Sequence, residues 1–274
     1  MYFSPRTSRA EPGQERSVDA TSQFAWEQTF RKNETASRMD NLQFLPSLNG
    51  LFSETPTLVD LNLVNARLPQ LVIGPGRPPE SAVTVKRCTF SRCTVEGNFA
   101  IYPGAVLHDV TFEDTSSPDV MIVGTETVLR RVVVRGGKRS SSLFVKPMAA
   151  DQFGADRKRE LDAWIAAQED TETLMLDFAG LHADVEVVGL PLTQLRWDPV
   201  RHVAWKATDV NYEVCKKLGF PSNSYVSLTS RRLSLFGAAE GVWALPVSSS
   251  RKYSQFVDEV DLLRREGLLT IPGQ

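Results

Sequence analysis

Four segments decide how this chain is read: Leu63-Val-Asn-Ala66-Arg-Leu68, Val85-Lys-Arg-Cys88-Thr-Phe90, Leu107-His-Asp-Val110-Thr-Phe112 and Leu129-Arg-Arg-Val132-Val-Val134. They align without gaps, each beginning 22 residues after the one before. A further column, Leu61, Val83, Ala105 and Thr127, precedes them, and a fifth copy reads Val185-Glu-Val187-Val-Gly-Leu190-Pro-Leu192. Across five copies and four columns, 19 of 20 positions are apolar, with Thr127 the exception, whereas a 42% hydrophobic chain would supply about 8 by chance.

Pairs at i and i+2 are strand alternation, with both side chains on one face. The step of five in Leu63, Leu68, Ile73 and in Val85, Phe90, Val95 says that the chain turns a corner after each short strand. A path that turns corners and returns in register is a solenoid rung. Rungs stack about 4.8 Å apart with parallel strands, and parallel crossovers favour the right hand. The expected fold is mostly β: a short right-handed parallel β-helix of about five rungs, with helical caps and a helical insertion. The competing reading is an antiparallel β domain whose spacing is accidental.

Cys88-Thr-Phe90-Ser-Arg-Cys93-Thr-Val95 and Ala66-Arg-Leu68 resemble pentapeptide-repeat proteins, with a large apolar residue at the centre of each five and a small one two residues earlier. The resemblance covers about a third of the chain. A strict pentapeptide coil repeats every 20 or so residues, and this chain repeats every 22, as in the broader β-helix class. It implies the solenoid architecture and no functional residue.

Around the repeat, residues 1–20 are polar and read as a disordered tail. Residues 21–56 carry Phe24, Trp26 and Phe30 and read as an N-terminal helical cap, since a solenoid end leaves strand edges exposed. The solenoid is expected over 57–208, interrupted by a helix near 151–172 with Asp156 as its N-cap and Leu161, Trp164 and Ile165 as its apolar stripe. Leu174–Leu181 reads as a strand re-entering the sheet. Residues 209–274 read as a helical cap or subdomain, with Asp209 capping a helix that ends at Gly219. Tyr253, Phe256, Val257, Val260 and Leu263 form the stripe of a last helix stopped at Gly267.

A net charge of −2 excludes a generally basic nucleic-acid binder and a polyanion mimic. Three cysteines are too few for a secreted disulfide scaffold. No stretch has the length of a membrane span or of a signal-peptide core, so a cytoplasmic setting is expected.

Motifs for chemistry are sparse. His108, His182 and His202 lack the spacing of a helical zinc site, and no cofactor or metal is called for. Cys88 and Cys93 fall in inward columns and read as small hydrophobes. Ser140, Ser141 and Ser142 read as a polar turn, and Gly74-Pro-Gly76 as a corner rather than a phosphate loop. His182-Ala-Asp184 and the Asp198–His202 stretch are a weak catalytic candidate. A carbohydrate-active β-helix, lyase or hydrolase, would need two free carboxylates, and Asp109, Glu113 and Asp114 are the candidates. At a spacing of 22, however, Asp109 lies between Arg87 and Arg131, Glu113 beside Arg135 and Asp114 beside Arg92. These acids are expected to fix register.

Lys86, His108 and Arg130 form one outward column without an acid, and Lys138 and Arg139 lie beyond it. Residues 57–147 hold eleven Lys or Arg against eight Asp or Glu, while residues 148–172 hold three against seven. The stripe is therefore expected to meet an acidic protein surface, or the acidic insert itself. His108 would add pH dependence near its ordinary pKa of about 6.5. Nucleic acid is disfavoured, because outward aromatics for base stacking are lacking. The expected function is a non-enzymatic binding, adaptor or regulatory protein of an immunity-like kind. The alternative is the carbohydrate-active enzyme.

Overall fold

The structure is a computed structural model that describes residues 57–74, 82–168, 174–246 and 253–270, all within one compact unit spanning Ala36–Gln274. The expected tail and N-terminal cap lie outside the described residues. Strand predominates over helix, and most strands pair in parallel.

The chain makes successive passes. The first comprises β1 (Thr57–Val59), β2 (Asn62–Val64), β3 (Arg67–Leu68) and β4 (Leu71–Ile73). The second comprises β5 (Val83–Ser91), β6 (Thr94–Val95) and β7 (Phe99–Ile101), and the third β8 (Ala105–Glu113) and β9 (Met121–Gly124). The fourth comprises β10 (Val128–Arg130), β11 (Val132–Arg135) and β12 (Leu143–Lys146). Helix α1 (Ala149–Gln168) follows, then β13 (Leu176–Asp177), β14 (Val185–Val188) and β15 (Leu195–Arg196). The chain closes with β16 (His202–Lys206), α2 (Tyr212–Lys217), α3 (Tyr225–Phe236), β17 (Glu240–Ala244) and α4 (Tyr253–Arg265).

One sheet collects β1 and β2, then β5, β8, β10 and β11, β13 and β15. A second, of two strands, joins β3 to β6. A third runs β4, β7, β9, β12, β14 in parallel and continues antiparallel into β17 and β16.

The corners explain the spacing of the apolar columns. In β5 the buried positions are Val83, Val85, Cys88 and Phe90, so alternation skips a beat between Val85 and Cys88. Arg87 supplies the extra residue, in the left-handed region at φ 51°. Asp60, Asn65, Arg92, Asp109, Asp114 and Arg131 do the same, with φ between 47° and 58°. The turn does not break the ladder: the amides of Asp60, Asn65, Arg92, Asp114 and Arg131 donate to carbonyls of the following pass at 2.7–3.0 Å.

Inside, like stacks on like. Phe90 pairs with Phe112 and Phe112 with Val134, each step 22 residues long. The two phenyl rings stack at 5.1 Å, and Phe99 meets Phe112 edge-on at 5.6 Å. Cys88, Cys93, Thr115 and Thr127 occupy positions that are 4% exposed or less. Their thiols and hydroxyls donate to backbone carbonyls, as in Thr115 to Phe90 O and Thr127 to Tyr102 O. Burial pushes the Cys88 and Cys93 thiols up, as suits packed rather than reactive sulfur.

Two parts of the expected register are corrected. Leu63 faces Phe90 rather than Val85, and Leu58 faces Val85, an offset of 27 residues. A slip of one five keeps Asp60 beside Arg87 and Asn65 beside Arg92, so the corners and the inward columns match equally well in either alignment. The fifth copy also joins a different sheet. Val185 and Val187 pair with Leu143 and Val145, whereas Val132 is continued by Leu176 and then Leu195. Leu174–Leu181 thus does re-enter a sheet, and it is the first one.

Helix ends differ in detail. α1 begins at Ala149, so Asp156 lies inside it and pairs with Arg159 instead of capping. Leu161 is buried, with Trp164 and Ile165 half-buried, as the stripe requires. Asn211, not Asp209, caps α2 by accepting from the Val214 amide. The C-terminal region is not helical throughout. β17 pairs antiparallel with β14 and β16, and Trp205 and Trp243 stack at 4.1 Å over it. Gly241 makes room: a Cβ there would lie 2.7 Å from the Trp243 ring and 2.8 Å from Val187 O. α4 buries Phe256, Val260 and Leu263, and Gly267 follows at φ 67°.

Two outcomes test this packing. Phe112→Ala is expected to cost about 3–5 kcal/mol, read from the urea midpoint at unchanged slope. At the exposed corner Arg92, Asn tolerates the left-handed region and Val does not. Arg92→Asn is expected to hold or raise stability, and Arg92→Val to lower it by about 1–2 kcal/mol.

Candidate functional site

The basic column forms where the repeat put it. Lys86 is the direct strand partner of His108, and His108 of Arg130. Lys86 is exposed, and His108 and Arg130 are half-buried.

The column is not free of acid, which corrects the expectation. The neighbouring corner file runs Asp60, Arg87, Asp109, Arg131. Arg87 grips Asp60 through two bonds of 2.5 and 2.7 Å. Arg131 grips Asp109 likewise, the longer bond being 2.8 Å. His108 Nδ1 lies 3.2 Å from Asp109 Oδ2, and its Nε2 lies 2.9 Å from Arg131 Nη2. A guanidinium can only donate, so Nε2 accepts and Nδ1 carries the proton toward Asp109. The hydrogen bond from Arg131 holds the Asp109 carboxyl below the usual carboxylate range, and Arg87 does the same for Asp60. These pairs are largely exposed, so each contributes little to stability.

Arg130 has a second task. Its Nη2 donates to the carbonyl of Gln168, in the last turn of α1. A cation there satisfies an orphan carbonyl and opposes the negative end of the helix dipole. Part of the stripe therefore serves the insert. Lys138 and Arg139 stand elsewhere, exposed in the turn that follows β11, where the Ser140 amide closes onto Gly137 O.

The remaining acids are also engaged. Glu113 pairs with Arg135 at 2.8 Å and accepts from Ser91 Oγ at 3.1 Å. Asp114 accepts the Gly137 amide at 2.9 Å, and no Asp114–Arg92 pair forms among the described residues. The weak catalytic candidate does not assemble. His182 is exposed, whereas His202 is 2% exposed, packed edge-on to Phe178 at 5.3 Å. His202 Nδ1 meets the backbone carbonyl of Asp198, whose carboxylate instead accepts the Val200 amide.

A feature the sequence did not disclose is a groove of about 460 Å³ on the outer face of the third sheet. Ala100 and Ile122, paired on neighbouring strands, line it together with Asn98, Tyr102, Asp119 and Ser142. Lys138 and Arg139 immediately precede Ser140–Ser142, which line one side. Among the described residues, no group of His, Cys, Asp or Glu converges to hold a metal, and no helix is long and apolar enough to cross a membrane. No protein-family model matches the chain, and searches of curated proteins and of solved structures return no match either.

His202 gives a pH test. Burial, and then the Arg201 charge, push its pKa down to about 4 from an ordinary 6.5. The unfolded chain therefore binds the proton more tightly. Stability is complete above about pH 6.5 and declines as the pH falls toward 4, by up to about 3 kcal/mol. His202→Phe is expected to flatten that decline in urea denaturation measured across the interval, without loss of stability at pH 7.

Proposed function

We propose that the chain is a short right-handed parallel β-helix, related in its corners to pentapeptide repeats, that acts as a non-catalytic binding or adaptor protein. The solenoid reading is supported by the parallel 22-residue steps, the corner residues in file and the inward stacking of like side chains. The binding reading rests on one observation: Lys86, His108 and Arg130 are direct partners on successive strands. The adjacent file is charge-balanced, since Arg87 meets Asp60 and Arg131 meets Asp109. The basic character of the stripe therefore falls on Lys86 and Arg130, with Lys138 and Arg139 adding to it beyond β11.

A partner with an acidic protein surface fits this array, through steering and rim contacts that weaken with salt. Asp109, Glu113 and Asp114, the carboxylates a glycosidase would need, are engaged with Arg131, Arg135 and the Gly137 amide. That favours the binder over the carbohydrate-active alternative. The free, buried cysteines are consistent with a cytoplasmic setting.

The test is to isolate the partner by affinity purification from the native cell and to measure its affinity for the chain. Lys86→Glu combined with Arg139→Glu, both at exposed positions, should leave the thermal midpoint unchanged. The pair is expected to weaken binding about tenfold or more and to reduce its salt dependence. Undiminished affinity with the same salt slope would leave the stripe as a solvated face.

A further inference from the structure

Helix α3 mixes hydroxyl residues into its buried face and carries leucines on its outer one. Its buried face carries Val226, Ser227, Thr229, Ser230 and Leu233. The hydroxyls there are occupied: Ser227 Oγ with Ser224 Oγ at 3.1 Å, Thr229 Oγ1 donating to Tyr225 O at 2.9 Å, and Ser230 Oγ with Cys215 Sγ at 3.7 Å. Leu228 and Leu235 meanwhile point outward, 46% and 79% exposed. Positions i, i+3, i+4 and i+7 share one helix face, so Leu228, Arg231, Arg232 and Leu235 form a single outward stripe. Leu235 is left largely outside the core, whereas three hydroxyl residues lie where leucines would stabilise it.

The stripe continues onto α2. The Arg231 guanidinium lies over the Tyr212 ring, 5.0 Å from its centroid, and Tyr212 is 44% exposed. Lys216, four residues on from Tyr212, is also exposed. Tyr and Arg are enriched at interface centres, and the exposed leucines add apolar area beside them. Arg232 is already paired with Glu186, which leaves Arg231 and Lys216 as the cations that flank the leucines.

We propose that the outward face of α3, with Tyr212 and Lys216, docks an acidic amphipathic helix of a partner protein, its apolar residues on Leu228 and Leu235 and its carboxylates on Arg231 and Lys216. Parallel packing of α3 on a second copy of this chain sets Arg231 against Arg231, and a partner with carboxylates there removes the conflict. This surface is separate from the basic column, and each stands or falls alone.

The experiment uses the full chain and two synthetic helical peptides of about 20 residues as probes. Both carry leucines at i, i+3 and i+7; one is flanked by glutamates and the other by lysines. Fluorescence anisotropy is expected to show the glutamate peptide binding at least about tenfold tighter, with affinity falling as salt rises. Arg231→Glu should reverse the preference. Leu235→Ser should weaken the glutamate peptide about tenfold or more while the thermal midpoint holds, and Leu235→Met should restore binding. Equal affinity for the two peptides, no binding by either, or unchanged affinity in Arg231→Glu or Leu235→Ser overturns the proposal. So does a reversible dimer in sedimentation that Leu235→Ser dissolves, which would make a second copy the occupant. Flotation with phosphatidylserine vesicles that is lost in Leu235→Ser would make it a membrane surface and overturn the proposal equally.

Discussion

The fold depends on a backbone corner. An extended chain that bends must normally abandon its ladder, because the amide at the bend loses its partner. Here one residue per corner takes a left-handed conformation and its amide still reaches the neighbouring pass, as Arg92 reaches Glu113 O at 2.7 Å. The cost for an L-residue is roughly 1–2 kcal/mol. Asp and Asn, which tolerate it best, occupy four of the seven corners described, and Arg the other three. Each corner also shifts the strand's phase by one residue, which keeps Val85 and Cys88 both inside although they are three apart.

The same corners organise the surface. A residue that leaves the core at a bend projects outward beside its counterparts on the passes above and below. Asp60, Arg87, Asp109 and Arg131 stand in that file, and opposite charges alternate along it. Such exposed pairs contribute little stability. Lys86, His108 and Arg130 lie one residue before the corners and inherit the same alignment. The candidate surface is thus a by-product of the geometry that closes each pass.

The far end is built on another principle. β17 adds to the third sheet in the antiparallel sense, covering the edge that β14 would otherwise leave open. Trp205 and Trp243 stack at that junction, and the helices close around them with Val226, Leu233, Phe256, Val260 and Leu263. Strand and helix share one core here. α3 can therefore fill part of its inner face with small hydroxyl residues and leave its leucines outside.

The sequence by itself determined the step of 22 over β5, β8 and β11, the inward columns, the buried cysteines and the partners Lys86, His108 and Arg130. Those follow from alternation and a constant pass length, both of which are local. It also held the helical stripe of α4 and its stop at Gly267. Tertiary structure alone decided which five-residue unit of the first pass lies under Val85, because sliding by one corner preserves every inward side chain. It decided that Val185 and Val187 join the third sheet, because a short apolar alternation fits any sheet facing the core. The contact of Asp109 with His108, the outward leucines of α3 and the groove over Ala100 and Ile122 were likewise settled in space. Each depends on which distant segment covers a face, and a pattern of polarity along one chain carries no record of its neighbours.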